Sequence, residues 1–474
     1  MRRCSIMMGL LGIMTVVCTA QSQDATIPTG PYPIRAAGWG PQLYNYYFYS
    51  RWAEDWTGEQ LMGKAPLLKV TPIGEKGALT LSSELRTRVH LIKNELLNEV
   101  DDYTQVLVRG ILGADLKLNA NVRLYGEIGT GQTTGERNDV PNFKNSASLQ
   151  QLFLGVHHYK KSFLLGAMLG RQEFVDGPKQ LLSLREGPNL RLTWNGARLY
   201  AHRDRFRLGA FAFYRTQQHK GFFVESINKE ESLLGLNASL ILYKKGKSVA
   251  YLDPFWMHTE NSRFRSGPNV GLDRRDSYGT RFWGQFYPFA FDWTFALQSG
   301  RFMNRDIQAW GVFLLQSLTL TDHSWKPKIT LHIDAASGGN GSGDGPVRGF
   351  SQLYAGANYL GQGRFLSLTN LLFISPGISL TPLPKSKLSL EYGFAQRLVE
   401  HDAVYSGARK AYPDTQGVQG LQIGNQLRIT GNWSPAKPIQ LFGGFELFTA
   451  GDVLRLVHYP DTSIYGYFGG SFRF

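Results

Sequence analysis

The chain has 474 residues, 13% of them aromatic and 53 of them glycine, with two cysteines and a formal net charge of +14. Beyond residue 20 no apolar run approaches the roughly 20 residues a spanning helix needs, so if this chain crosses a membrane it must do so as a closed barrel. A basic soluble protein would suggest nucleic acid, but the cations are dispersed and no nucleic-acid-binding motif, basic helix or lysine-rich tail accompanies them, so no nucleic-acid partner is expected.

Residues 1–20 read as a secretory signal: Arg2 and Arg3 precede an apolar run from Met7 to Val17, and Cys18-Thr19-Ala20 supplies small residues for cleavage. Val16 and Val17 do not suit a lipid-modified Cys18. Cleavage after Ala20 would remove both Cys4 and Cys18 and lower the net charge to +12, leaving an exported chain without disulfides. Residues 21–77 hold Pro31, Pro33, Pro41 and an aromatic cluster from Tyr44 to Trp52, too short for a large plug domain and expected as an N-terminal periplasmic extension. Gly58 to Lys64 has the spacing of a phosphate loop, but Ala65 stands where a hydroxyl is needed.

From residue 78 to 474 the pattern is period two, interrupted by turn residues. It predicts an all-β, transmembrane antiparallel barrel of about eighteen strands near 78–94, 103–117, 121–130, 148–158, 162–173, 190–200, 205–216, 231–243, 248–258, 275–286, 291–301, 306–320, 327–337, 365–379, 386–397, 417–433, 438–449 and 462–474. The last of these alternates to a terminal Phe474, as the closing strand of an outer-membrane barrel does. Connections such as Leu118–Asn121, His158–Ser162, Ala201–Asp204, Lys244–Lys247 and Ser434–Lys437 are short, and most of those between them are long. That alternation predicts short periplasmic turns and long extracellular loops, with both chain ends in the periplasm of a bacterial outer membrane.

The faces carry the chemistry. In the first strand Leu79, Leu81, Leu85, Val89 and Leu91 alternate with Glu84, Arg86, Arg88 and His90. An arginine facing lipid at mid-bilayer would cost about 2–4 kcal/mol, so the charged face must be the lumen. The same alternation turns Arg109, Arg123, Glu127, Arg281, Gln285, Lys328, His332, Asp334, Glu391, Arg397, Arg428 and Glu446 inward, with Leu421, Ile423, Leu427 and Ile429 opposite Arg428. An arginine-rich lumen attracts anions weakly enough to release them, as conduction requires, although each arginine is also a candidate structural partner for a nearby glutamate. The aromatic run Phe282, Trp283, Phe286, Tyr287, Phe289, Phe291 and Trp293 reads as an interfacial girdle in contact with outer-membrane lipid. No metal or other cofactor is expected: adjacent His157 and His158 point to opposite faces, and the single glycine-rich stretch 338–345 reads as a mobile external loop.

Leu169-Gly-Arg-Gln-Glu173, Trp194-Asn-Gly-Ala-Arg198, Tyr278-Gly-Thr-Arg281, Asp334-Ala-Ala-Ser-Gly338 and Phe448-Thr-Ala-Gly-Asp452 recur in an order that resembles the bacterial alginate export family of outer-membrane barrels. Arg51-Trp-Ala-Glu-Asp-Trp56 is similar to that family's opening segment. The resemblance implies eighteen strands and an electropositive constriction, narrowed by inward-folded loops or a periplasmic plug loop, through which an anionic uronate polysaccharide leaves the cell. It supports pore-lining roles for Arg86, Arg88, Arg171, Arg198, Arg281 and Arg397 and leaves room for periplasmic export machinery at the short turns. Asn195 departs from the family's acidic signature residue, and no tryptophan precedes Arg397. Two alternatives stay open: a general porin for small acidic solutes, and an outer-membrane enzyme pairing Glu84 with His90 or Asp334 with His332.

Overall fold

The computed structural model describes residues 47–54, 56, 63–98, 101–134, 140–160, 163–266, 269–339, 345–407 and 409–474. The expected signal, with Cys4 and Cys18, and most of the phosphate-loop-like stretch lie outside them. After a short strand β1 (Thr71–Ile73) come β2 (Gly77–Lys93), β3 (Tyr103–Lys117), β4 (Val122–Thr134), β5 (Asn145–Lys160), β6 (Phe163–Gln172), β7 (Trp194–Arg203), β8 (Phe206–Gln217), β9 (Ser226–Lys245) and β10 (Ser248–Ser266). The series continues with β11 (Asn269–Phe286), β12 (Phe289–Phe302), β13 (Arg305–Thr319), β14 (Lys328–Ala336), β15 (Leu371–Leu380), β16 (Ser386–Gln396), β17 (Gln422–Ala436), β18 (Ile439–Ala450) and β19 (Thr462–Arg473). Each strand from β2 onward pairs antiparallel with the next, and β19 pairs with β2 from Ile464 opposite Lys93 to Arg473 opposite Glu84. The eighteen strands from β2 to β19 therefore close a barrel, and each corresponds to one expected from the period-two pattern.

Closure is staggered, and the stagger leaves an edge to cover. Because β19 ends opposite Glu84, the first residues of β2 lack a partner there, and exposed ladder groups invite unwanted pairing. β1 supplies that partner, with Thr71 opposite Leu79 and Ile73 opposite Gly77. Between the two, the Leu81 amide donates to the Leu68 carbonyl and the Ser83 amide to the Phe474 carbonyl.

Two differences from the period-two reading have local causes. The long loop expected between residues 258 and 275 is instead a continuation of β10 and β11, paired out to Ser266 and Asn269. With β9 at 20 residues and β10 at 19, this wall is about twice the 9–11 residues that cross a bilayer, so it stands beyond the membrane. Ile423, expected on the lipid face, is buried, because a register shift between Ala395 and Gln396 of β16 turns the start of β17 by one residue. Gly424, Gln426 and Arg428 then share the inner face.

The outer face is apolar: Leu85, Leu112, Leu169, Leu199, Leu297 and Phe468 are all exposed. Phe282, Phe286, Phe289, Phe291 and Trp293 form one contiguous ring cluster near the β11–β12 turn, with centroid separations such as 4.7 Å for Phe282–Phe291 and 5.1 Å for Phe291–Trp293. Trp283 alternates inward and stacks on Tyr251 at 4.0 Å. Leu199 sits mid-strand on β7 beside inward-facing Arg198. Leu199→Arg is expected to lower barrel stability by about 2–4 kcal/mol in guanidinium unfolding from lipid vesicles, because its charge must enter hydrocarbon.

Candidate functional site

The barrel is not an empty tube. Inward faces that carry phenylalanine, such as Phe211 and Phe213 of β8, Phe255 of β10, Phe313 of β13, Phe373 of β15 and Phe448 of β18, need apolar partners, and three connections fold in to supply them. Residues 173–193 bring Phe174, Leu181, Leu182 and Leu192; residues 337–370 bring Phe350, Tyr354, Leu360, Phe365 and Leu368; residues 397–421 bring Val404 and Tyr412. These form one buried cluster with the strand residues.

The described part of residues 21–77 does not stand clear of the barrel. Trp52 and Ala53 are buried with Tyr125, Phe153, Leu164, Met168, Leu184 and Tyr200. Arg51 donates to Glu127 at 2.9 Å and to Glu84 at 3.0 Å, two lumen carboxylates that would otherwise be buried without this cation. Lys69 donates to Glu54 at 3.3 Å and lies over the Phe474 ring at 5.4 Å. Burial pushes the Lys69 ammonium down, and Glu54 only partly restores it.

Arg86, Arg88, Arg109, Arg123, Arg198, Arg281 and Arg428 point inward, whereas Arg171, opposite exposed Leu152 and on the same strand face as Leu165 and Leu169, lies on the outer face; each has a partner. Glu84 is ion-paired with Arg51, Arg109 and Arg473, with Arg191 at 3.9 Å. Arg86 donates to the Glu186 carboxylate at 3.0 Å and to the Pro188 carbonyl at 2.8 Å; Arg88 donates to the Glu186 and Gly187 carbonyls, both at 3.1 Å. Arg109 joins Glu84 to Glu186. Arg123 donates to the Trp52 carbonyl at 2.8 Å and lies over the Phe153 ring. Glu127 also accepts from Tyr125 at 2.8 Å and Gln151 at 3.2 Å. Arg171 pairs with Glu225 at 2.9 Å and donates to Asn195. Arg198 stacks over Trp52 at 4.9 Å and reaches the Met168 sulfur. Arg281 pairs with Asp292, and Arg428 with Glu391. Arg397 donates to the carbonyls of Asp402, Thr415, Val418 and Gly420, so it organises residues 397–421 rather than facing open water.

Glu84 and His90 do not meet, since His90 Nδ1 engages the Tyr465 hydroxyl at 2.9 Å. His332 and Asp334 lie 2.6 Å apart and share the Tyr359 hydroxyl, at 3.1 and 3.2 Å. Glu446 accepts the amides of Gln362 and Gly363, anchoring the second inward segment.

Above this packed zone, toward the end bearing the long connections, opens a cavity of about 570 Å³. Six arginines line it (Arg88, Arg185, Arg263, Arg265, Arg364 and Arg409) against three carboxylates (Glu95, Glu231 and Asp273), so its field is positive. Burial, then Arg215, brings Arg185 down to about 10, still charged at neutral pH. Arg51, Arg185, Glu186, Arg364 and Arg409 carry no period-two signal because they stand outside the strands, and Arg191, inside the expected strand 190–200, precedes the start of β7 at Trp194. The available signal was indirect: phenylalanines on an inward face imply that something other than water fills the lumen.

The family model for alginate export matches residues 78–459. No curated protein matches this sequence. Similar solved structures include a BenF-like porin from Pseudomonas fluorescens (TM-score 0.56, 8% identity, covering 84% of this chain and 98% of that one). Pseudomonas aeruginosa OpdK with vanillate gives 0.54 at 10% identity, covering 83% and 98%, and P. aeruginosa OccK2 in complex with glucuronate gives 0.51 at 11%, covering 83% and 97%. At these identities the likeness shows the fold alone.

Proposed function

Because the chain belongs to the alginate export family and is a bacterial outer-membrane channel, we propose that it passes an anionic, alginate-like exopolysaccharide out of the cell through its arginine-rich lumen. The observation that carries this reading is the inward ladder of Arg86, Arg88, Arg109, Arg123, Arg198, Arg281 and Arg428, topped by a cavity with twice as many arginines as acids. One arginine about 8 Å from a carboxylate gains roughly 0.5 kcal/mol in water, so several attract a polyanion without trapping it. The driving force is then the polymer's own gradient, and the barrel supplies a path and a charge filter.

Uronate oligomers of increasing length, added to purified protein in a planar bilayer, test this. Blockades by a polymer that crosses are expected to shorten as the voltage driving it rises. Blockades that lengthen with voltage would mark a pore the polymer only plugs, and would favour a porin for small acidic solutes. A neutral glucan of equal length is expected to produce few events.

A further inference from the structure

At the tip of the segment between β6 and β7, Glu186 sits among cations as a substrate carboxylate would. Its Oε2 lies 3.0 Å from Arg86 on β2 and 3.0 Å from Arg109 on β3, and its other oxygen contacts Arg191. The exposures differ sharply. The three arginine side chains are 5% exposed or less, whereas that of Glu186 is 39% exposed. The nearby Glu84 side chain, at 0%, is a structural counter-ion sealed in the wall. The nest also has unused capacity: Arg86 Nε, Arg88 Nε and Arg191 Nη2 are buried with no hydrogen-bond partner among the described residues. Gly187 and Pro188 border the positive cavity, and an added Cβ at Gly187 would meet nothing within 4 Å, so the tip adjoins open space.

We propose that Glu186 occupies a binding site for one carboxylate of the acidic cargo, and that the cargo enters the constriction by exchanging with it. This rests on the uronate reading above. A uronate offers arginine the same bidentate acceptor that Glu186 does. Exchange leaves no buried guanidinium bare in either state. Swinging the tip away without cargo would take from Arg86 its one carboxylate among the described residues and leave Arg109 and Arg191 with only Glu84 and Glu173, and an uncompensated buried charge is strongly unfavourable. The arrangement thus stays shut to water and small neutral solutes and yields to a carboxylate.

Protonation does not substitute for exchange. Burial raises the Glu186 carboxyl and Glu84 adds to that, but Arg109, Arg191 and Arg86 outweigh both and hold the group well below the usual carboxylate range. Its contribution is present above that range and is lost only as pH falls well beneath it.

The test compares wild type with Glu186→Gln in detergent, by calorimetry with a short uronate oligomer. The variant removes the competitor, and about tenfold tighter binding or more is expected, with none to a neutral glucan. Equal or weaker binding by the variant overturns the exchange while leaving the cargo reading intact. Absence of uronate binding by both proteins sinks the cargo reading, and the site with it. A probe on Gly187→Cys gives a second readout with Glu186 in place. Saturating uronate is expected to increase the probe's water exposure, and an immobile probe would refute displacement of the tip.

Discussion

Replacing Glu84 with alanine is expected to lower the unfolding free energy of the barrel by about 3–5 kcal/mol, the range for breaking a buried charge cluster by removing one partner. The residue joins four separate parts of the chain. From β2 it reaches Arg109 on the next strand, Arg473 on the closing strand at 3.2 Å, Arg51 of the N-terminal segment at 3.0 Å and Arg191 of the inward segment at 3.9 Å. Its loss takes from Arg473 its one carboxylate among the described residues and leaves Arg51, Arg109 and Arg191 short of a shared counter-ion at the seam where β19 meets β2. Glu84→Gln keeps an acceptor but drops the charge, so its cost should fall between wild type and alanine. Guanidinium unfolding in detergent, or the temperature at which the barrel loses its compact gel mobility, measures both. Two unchanged variants would mean that water already solvates those arginines and that the seam depends on backbone pairing alone.

The barrel was legible because lipid and lumen impose opposite requirements on alternate residues. Leu85 and Arg86, or Leu199 and Arg198, announce their faces without any knowledge of the neighbouring strand. The contents of the lumen obey no such period. Leu181, Leu182 and Leu192 pack inside the barrel from an irregular segment, and Glu186 and Arg191 pair there by geometry that spacing along the chain does not encode. Expected strands also begin too early where an inward segment runs into a strand: Leu190, Leu192, Phe365, Leu366 and Leu368 are apolar because they face the filled interior, not because they are paired. Alternation gives Arg86, Arg109 and Arg198 their inner face, whereas Arg171, named from the family resemblance, stands on the outer one with Leu169. The partners of these arginines were invisible, and the partners decide whether a cation meets solvent or holds a loop: Arg397 does the latter, bonded to four carbonyls.

The double variant Arg86→Ala with Arg88→Ala separates these two duties. Both side chains reach the carbonyls of residues 186–188, so truncation should loosen the tip and raise single-channel conductance. The same truncation removes two positive charges from the lumen, so the reversal potential in a salt gradient should move toward weaker anion preference. Glu186→Gln loosens the same tip from the other side of the contact and removes a negative charge instead. It is expected to raise conductance while strengthening anion preference. A purely structural cluster would give both variants the same sign, since each merely frees the segment. Opposite shifts in selectivity with a shared rise in conductance would place Arg86, Arg88 and Glu186 in the ion path itself. An unchanged reversal potential in the double variant would remove Arg86 and Arg88 from it and leave them as anchors of the inward segment.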